Sequence, residues 1–190
     1  MRVTTGSARG RVLKSVPGDT TRPITDIVKQ AVFNILQDDV QGSSWLDLFA
    51  GTGAVGIEAL SRGATDATLI DNEPAAIDTI KDNLASTRLV ERARVVRQDA
   101  FRFLRGAPRE FDFIYVAPPQ YAGLWAKAMQ ALDAAPGWLS EHGEIIVQID
   151  PSEFQALVMK NFELVDERKY GKTLICFYLT KPDLTRRPSA

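Results

Sequence analysis

The segment from Ser44 to Arg62 restricts what this chain can fold into more than any other. A short apolar run, Ser44-Trp45-Leu46, leads into D-L-F-A-G-T-G-A-V-G at 47–56, and a helical pattern, Ile57-Glu58-Ala59-Leu60, follows. The order is strand, glycine turn, helix. Gly51, Gly53 and Gly56 remove side chains that would keep a ligand off the backbone. The helix behind them aims its free N–H groups and positive dipole end into the same space. That space suits a nucleotide-like cofactor, because packing alone rarely needs this glycine density.

Read literally, Gly51-x-Gly53-x-x-Gly56 is the dinucleotide fingerprint, and Asp71 stands 20 residues after Gly51, where a ribose-binding acid belongs. The loop alone leaves a dinucleotide and S-adenosylmethionine open. Two features favour the second. Asp47 opens the turn, with Phe49 after it. A carboxylate there suits a ligand carrying an ammonium and a sulfonium and repels a pyrophosphate. The turn also lies well inside the chain, behind a specialised segment.

At 190 residues the chain suits one domain with a small appendage. A net charge of −1 excludes a uniformly basic coat for nucleic acid. The first 22 residues are basic, however, with Arg2, Arg9, Arg11, Lys14 and Arg22 against Asp19. A local patch of this kind can dock RNA, and it also serves simply as a solvated terminus. Cys176 and His142 are the only residues of their types. A His/Cys metal site and a Cys–His nucleophile pair are therefore not expected. Cys176 reads as a strand residue, and His142 sits in a polar turn at 140–143. No apolar run is long enough to span a membrane and no signal-peptide pattern opens the chain, so a cytoplasmic protein is expected.

Residues 1–16 read as a hairpin around the turn at 6–10. Ile24, Ile27, Val28, Ala31, Val32, Ile35 and Leu36 repeat at helical spacing, with Thr25 or Thr21 as cap. Strands and helices then alternate: strand 45–49, helix 53–62, strand 67–70, helix 74–86, strand 93–97, short helix from 101, strand 111–116, helix 124–132, strand 144–149, helix 152–160. An antiparallel pair, 162–169 and 173–179, closes the pattern. Such alternation with continuous apolar strands means an α/β fold, a mostly parallel sheet covered by helices on both faces. The expected organisation is a hairpin extension at 1–20, a main domain at 21–180 and a disordered tail at 181–190.

In open α/β sheets ligands bind beyond the carboxyl ends of the strands. Here those ends are Asp47 with its glycines, Asp71-Asn72, Gln98-Asp99 and Ala117-Pro118-Pro119-Gln120-Tyr121. Asp47 suits the amino-acid end of the cofactor, Asp71 the ribose hydroxyls and Asp99 the adenine amino group. Each acid can also cap the helix that follows, and the two roles are compatible.

The stretches T-R-P-I-T-D-I-V-K-Q-A-V-F-N-I-L at 21–36 and L-D-L-F-A-G-T-G-A-V-G-I-E-A-L-S-R-G-A at 46–64, with the proline pair at 118–119, resemble the bacterial methyltransferases of the RsmD type. The resemblance covers essentially the whole chain. It implies a Rossmann-like class I methyltransferase fold of seven strands with a small N-terminal β-hairpin, and S-adenosylmethionine as donor. It implies the exocyclic N2 of a guanine in 16S rRNA, or in the small ribosomal subunit particle, as acceptor. The family's Arg-Pro-Thr segment by the methionine end of the cofactor is matched by Arg22-Pro23 and, one place later, Thr25. The expected cofactor residues are therefore Arg22, Thr25, Asp47, Phe49, Gly51, Gly53, Asp71, Asn72, Asp99 and Ala100. Arg2, Arg9, Arg11 and Lys14 are expected on RNA phosphate. The enzyme is expected to be a metal-free monomer.

One departure stands out. The family's fourth strand ends in Asp-Pro-Pro followed by Tyr or Phe, and this chain has Ala117-Pro118-Pro119-Gln120-Tyr121. A purine amine is a poor nucleophile, and an acid or amide oxygen helps to localise and aim its lone pair. Ala117 offers none. The Pro118 carbonyl remains, with Pro119 beside it, and Tyr121 or Trp125 can supply the ring that stacks on an extruded base. Losing one such contact typically costs roughly 100- to 1,000-fold in rate. Two functions follow: an active rRNA guanine-N2 methyltransferase with a modified loop, or a cofactor-binding protein of this fold with another acceptor or impaired catalysis, acting by binding RNA.

Overall fold

The computed structural model describes residues 1–18 and 24–181. Its centre is a sheet of seven strands: β1 (Ser44–Asp47), β2 (Asp66–Asp71), β3 (Ala93–Arg97), β4 (Phe111–Val116), β5 (Leu139–Ile149), β6 (Phe162–Tyr170) and β7 (Thr173–Thr180). They lie in the order β3-β2-β1-β4-β5-β7-β6. The first five run parallel. β7 pairs antiparallel with β5 and β6. Among the described residues five α-helices accompany them: α1 (Asp26–Leu36), α2 (Ala54–Ser61), α3 (Pro74–Thr87), α4 (Ala100–Leu104) and α5 (Leu124–Ala134). Central parallel strands need apolar side chains on both faces, and Leu46, Leu69, Ile114, Ile145 and Ile146 are all buried.

Two apolar layers result. One holds α1, α2, α3 and the N-terminal hairpin, with Trp45 stacked between Phe33 and Phe113 at 5.2 and 4.7 Å. The other holds α4 and α5 around Trp125, Met129 and Trp138. The hairpin is closed by an Arg2–Val12 bridge. It rests on α2, where a Cβ added to Gly6 would meet the Ser61 carbonyl oxygen at 1.8 Å. Ser7 N–H donates to that same oxygen at 2.8 Å.

Charged groups fasten this junction. Glu58 and Lys29 are both fully buried and 3.0 Å apart. The Glu58 carboxylate also accepts from the Thr4 amide, the Thr4 hydroxyl, the Thr5 amide and Arg62 Nε. Lys29 Nζ donates to the Arg2 carbonyl at 2.6 Å. Burial pushes the Glu58 carboxyl up, but the Thr4 hydrogen bonds, the Lys29 charge and Arg62 together hold it below its ordinary value.

Three expectations need correction. The strand into the glycine turn ends at Asp47 rather than 49. The helix expected at 152–160 is one 3-10 turn, Pro151–Glu153. Asp150 caps that turn, and the chain then runs irregularly while burying Met159. The Lys160 and Asn161 amides donate to Asp133 instead of to a helix. Residues 140–143, expected as a turn with His142, belong to β5, whose pairing with β4 shifts register there. Residues 182–190 of the expected tail lie outside the described residues, while Lys181 Nζ donates to the Met159 carbonyl at 2.6 Å.

Candidate functional site

The strand order reverses between β1 and β4, and open α/β sheets take ligands in the crevice at such a point. Asp47 ends β1 opposite Tyr115 of β4. Ala117 follows β4 directly. The crevice therefore has the acid and glycine turn on one side and the proline pair on the other.

Asp47 is only 2 % exposed. Its Oδ1 has no hydrogen-bond partner among the described residues. Burial pushes its carboxyl up to about 7; the amides of Phe49 and Gly56 draw it back only in part, and the Asp71 charge adds to the rise. A buried acid with an orphaned oxygen is an incomplete cation site. A positive group beside it would complete the site.

The glycines divide the work. Gly51 has φ 54°, and a Cβ there would meet no heavy atom within 4 Å, so its outer side is open to a ligand. Gly53, at φ 77°, begins α2 in a left-handed conformation. Gly56 serves packing, since a Cβ there would meet Leu69 at 2.6 Å. The open face at Gly51 and the orphaned Asp47 oxygen fit a cofactor carrying an amino-acid cation.

Asp71 holds this turn in place. Its Oδ2 accepts the Gly51 amide at 2.8 Å and its Oδ1 the Glu73 amide at 3.0 Å. Asn72 is exposed beside it. Asp99 caps α4 by accepting the Arg102 amide at 2.8 Å. Ala100 is buried behind it. Phe49 meets Phe101 edge-on at 6.2 Å. Asp47, Asp71 and Asp99 thus stand at three strand ends of one rim, and Asp71 and Asp99 also serve backbone amides. The Thr25 hydroxyl accepts the Val28 amide at 3.3 Å and caps α1. Arg22 and Pro23 lie outside the described residues.

On the β4 side Ala117 is half-buried, Pro118 buried and Pro119 exposed. Tyr121 is 71 % exposed at φ 63°, a left-handed conformation that a bulky residue rarely adopts. Two acids that the sequence did not single out hold it. Its amide donates to Glu153 Oε1 at 2.7 Å, and its hydroxyl donates to Asp150 Oδ2 at 3.1 Å. Strain fixed by named contacts at a cleft edge is a mark of functional placement. Trp125 does not share that role: it is buried, its indole N–H donates to the Glu153 carbonyl, and its ring stacks on Phe154.

The residue beside Ala117 was also missed. β4 and β5 pair Val116 with Val147, so Ala117 and Gln148 are the next residues along the two neighbouring chains. Gln148 Oε1 accepts from the Tyr115 hydroxyl at 2.5 Å. The buried Tyr115 hydroxyl keeps its proton far above its ordinary range, through burial and then the Asp47 charge. Strand alternation contains the signal, but only the sheet order makes β5 the neighbour of β4.

The hairpin cations differ among themselves. Lys14 Nζ is paired with Asp82 at 2.7 Å. Arg9 and Arg11 are exposed and have no carboxylate partner among the described residues. Arg2 is exposed too, with its backbone tied to Asp26 and Lys29. The Cys176 thiol is buried in β7 and pushed up to about 12 by burial and then by Glu167.

A family model described as "Conserved hypothetical protein 95" matches residues 1–179. An rRNA methyltransferase candidate of Bacillus subtilis, YlbH, is 38% identical over 94% of this chain and 98% of its own length. Ribosomal RNA small subunit methyltransferase D of Escherichia coli is 34% identical over 94% of this chain and 89% of its own. The solved structure of an Escherichia coli methyltransferase candidate, yhhF, superposes with a TM-score of 0.83 at 35% identity, covering 95% of this chain and 97% of that one. An RNA methyltransferase from Salinibacter ruber, solved with S-adenosyl-L-homocysteine, shares the fold at a TM-score of 0.64 and 13% identity, covering 89% of this chain and 98% of that one.

Proposed function

We propose that this chain, which belongs to the Conserved hypothetical protein 95 family, is an S-adenosylmethionine-dependent methyltransferase of ribosomal RNA. Its acceptor is the exocyclic N2 of a guanine in 16S rRNA, presented free or in the small-subunit particle. The observation that carries this reading is the buried Asp47 with its orphaned oxygen, set under an open glycine turn at the switch between β1 and β4.

When bound, S-adenosylmethionine supplies an electrophilic methyl group on a sulfonium. Asp47 balances the positive charge of the cofactor, and Asp71 orders Gly51 while keeping lone pairs for the ribose. Asp99 and Ala100 border the adenine. Across the cleft Tyr121 stacks on the extruded base. The Pro118 carbonyl accepts one N–H of the amine. Gln148 stands beside Ala117 and replaces the missing side-chain acceptor with its amide oxygen. Arg2, Arg9 and Arg11 of the hairpin contact phosphate. These roles need no metal ion, and the protein is read as a cytoplasmic monomer.

Ala117 favours one second reading: the site binds its cofactor while methylating another acceptor or none. Labelled S-adenosylmethionine decides between them. Transfer to 16S rRNA or to small-subunit particles from a strain lacking the gene supports the first reading. Cofactor binding with every RNA left unlabelled supports the second, and activity created by Ala117→Asp would then identify the defect.

A further inference from the structure

The segment from Arg92 to Arg109 carries six arginines, Arg92, Arg94, Arg97, Arg102, Arg105 and Arg109, against one acid, Asp99. The fold gathers three of them. Between the β2–β3 face of the sheet and α4 lies a pocket of about 220 Å³, lined by Thr68, Arg94, Gln98, Arg102, Phe103 and Arg109, among others. It lies on the α4–α5 side of the sheet, opposite the N-terminal hairpin.

The charges there are incompletely balanced. Arg109 is paired with Asp66 and lies over the Phe111 ring. Arg94 and Arg102 are exposed and have no carboxylate partner among the described residues. Asp99, the one acid within the segment, is turned to the Arg102 backbone amide. At the base of the pocket, Thr68 is 1 % exposed, and its hydroxyl has no hydrogen-bond partner among the described residues. A buried hydroxyl without a partner costs free energy that a ligand oxygen would recover. Trp138 and Phe103 back the pocket with rings 5.0 Å apart. The Trp138 indole N–H is spent on the Leu104 carbonyl, so these rings form a wall of low dielectric, which strengthens nearby charges.

Two unpaired guanidiniums, a carboxamide and an orphaned hydroxyl select an acceptor-only anion with several oxygens, which is the chemistry of a phosphate group. We propose that this pocket holds a backbone phosphate of the RNA that brings the acceptor base to the cleft. This inference rests on the rRNA reading above and adds a second contact region to it. Arg105, exposed directly after α4, adds positive charge to the same segment. The hairpin and this pocket lie on opposite faces of the sheet, so the two would hold separate stretches of the RNA.

The test compares the full chain with an Arg94→Ala/Arg102→Ala variant and with Thr68→Val. RNA affinity is measured on small-subunit particles as a function of salt, S-adenosylmethionine affinity by calorimetry, and inorganic phosphate binding by arginine side-chain NMR. The expected result is RNA binding at least tenfold weaker in the double variant, with a salt slope shallower by roughly 0.7–0.9 per lost phosphate contact. Cofactor affinity should stay unchanged. Thr68→Val should weaken RNA binding several-fold without changing the salt slope. RNA affinity and salt slope equal to wild type in the double variant would overturn the proposal. So would loss of inorganic phosphate binding with RNA affinity intact, which would make the pocket a site for a small free anion. A wild-type protein that binds no RNA would instead remove the rRNA reading, and this inference with it.

Discussion

Gly51 donates its backbone amide to Asp71 Oδ2 at 2.8 Å, across 20 residues of chain. The bond ties the turn after β1 to the end of β2. Ala50 N–H, donating to the Ile70 carbonyl at 2.8 Å, ties it again one residue earlier. The glycine turn is therefore shaped by the neighbouring strand as well as by its own sequence. The acid proposed for the ribose is also the acid that orders the loop.

Asp71→Asn should weaken S-adenosylmethionine binding roughly ten- to a hundredfold. Both Asp71 oxygens accept from backbone amides. An amide side chain must turn its NH₂ towards one of those donors and so loses a charge-assisted bond. Calorimetric titration checks this. Affinity equal to wild type would detach Asp71 from the cofactor site.

Asp47 gives the site a pH dependence with a definite sign. In the folded protein its carboxyl is pushed up to about 7, against an ordinary 3.8. The folded state holds a proton that the unfolded chain has released, so this group's contribution to stability falls as pH rises from about 4 to about 7 and is flat above. A cationic cofactor prefers the ionised form. Its affinity should rise with pH through about 7 and then level off. Asp47→Asn should bind more weakly and without that pH dependence. A pH-independent affinity in the wild type would contradict the assignment.

Much of this was legible in the sequence, for physical reasons. Continuous apolar strands between helices can only be a covered parallel sheet, and such a sheet gathers its strand ends at one rim. Asp47, Asp71 and Asp99 needed no more than that. The helix expected at 152–160 failed because Phe154, Leu157 and Met159 face the core from an irregular segment held by Asp133, and apolar spacing cannot distinguish the two. Contacts between elements were illegible. Lys14 reads as a free cation until α3 brings Asp82 beside it. Gln148 reads as one more strand residue until β5 lies next to β4.

Tyr121 separates ring from hydroxyl. Tyr121→Phe keeps the ring and loses the hydroxyl's bond to Asp150. It should retain most activity. Tyr121→Ala loses the stacking surface, worth roughly 1–3 kcal/mol per base. It should raise KM for RNA roughly tenfold while leaving cofactor affinity alone. Equal KM values for the two variants would show that the ring does not meet the base.

The hairpin's attachment can be tested through Lys29. Lys29→Met is close in volume and leaves the buried Glu58 without its ammonium partner. Breaking a buried pair from one side costs about 3–5 kcal/mol, and the Thr4, Thr5 and Arg62 contacts to Glu58 favour the lower end. At this chain length the melting temperature should fall by roughly 2–4 °C for each kcal/mol. Because Glu58 is held below its ordinary 4.5, its contribution is fully present above that pH and is lost as pH falls through its lower folded value. Without the Lys29 charge the folded value rises, so the variant should show a smaller loss of stability on acidification than the wild type. Melting curves above and below pH 4.5 read both effects. An unchanged melting temperature at neutral pH would mean that the pair does not hold the hairpin to the domain.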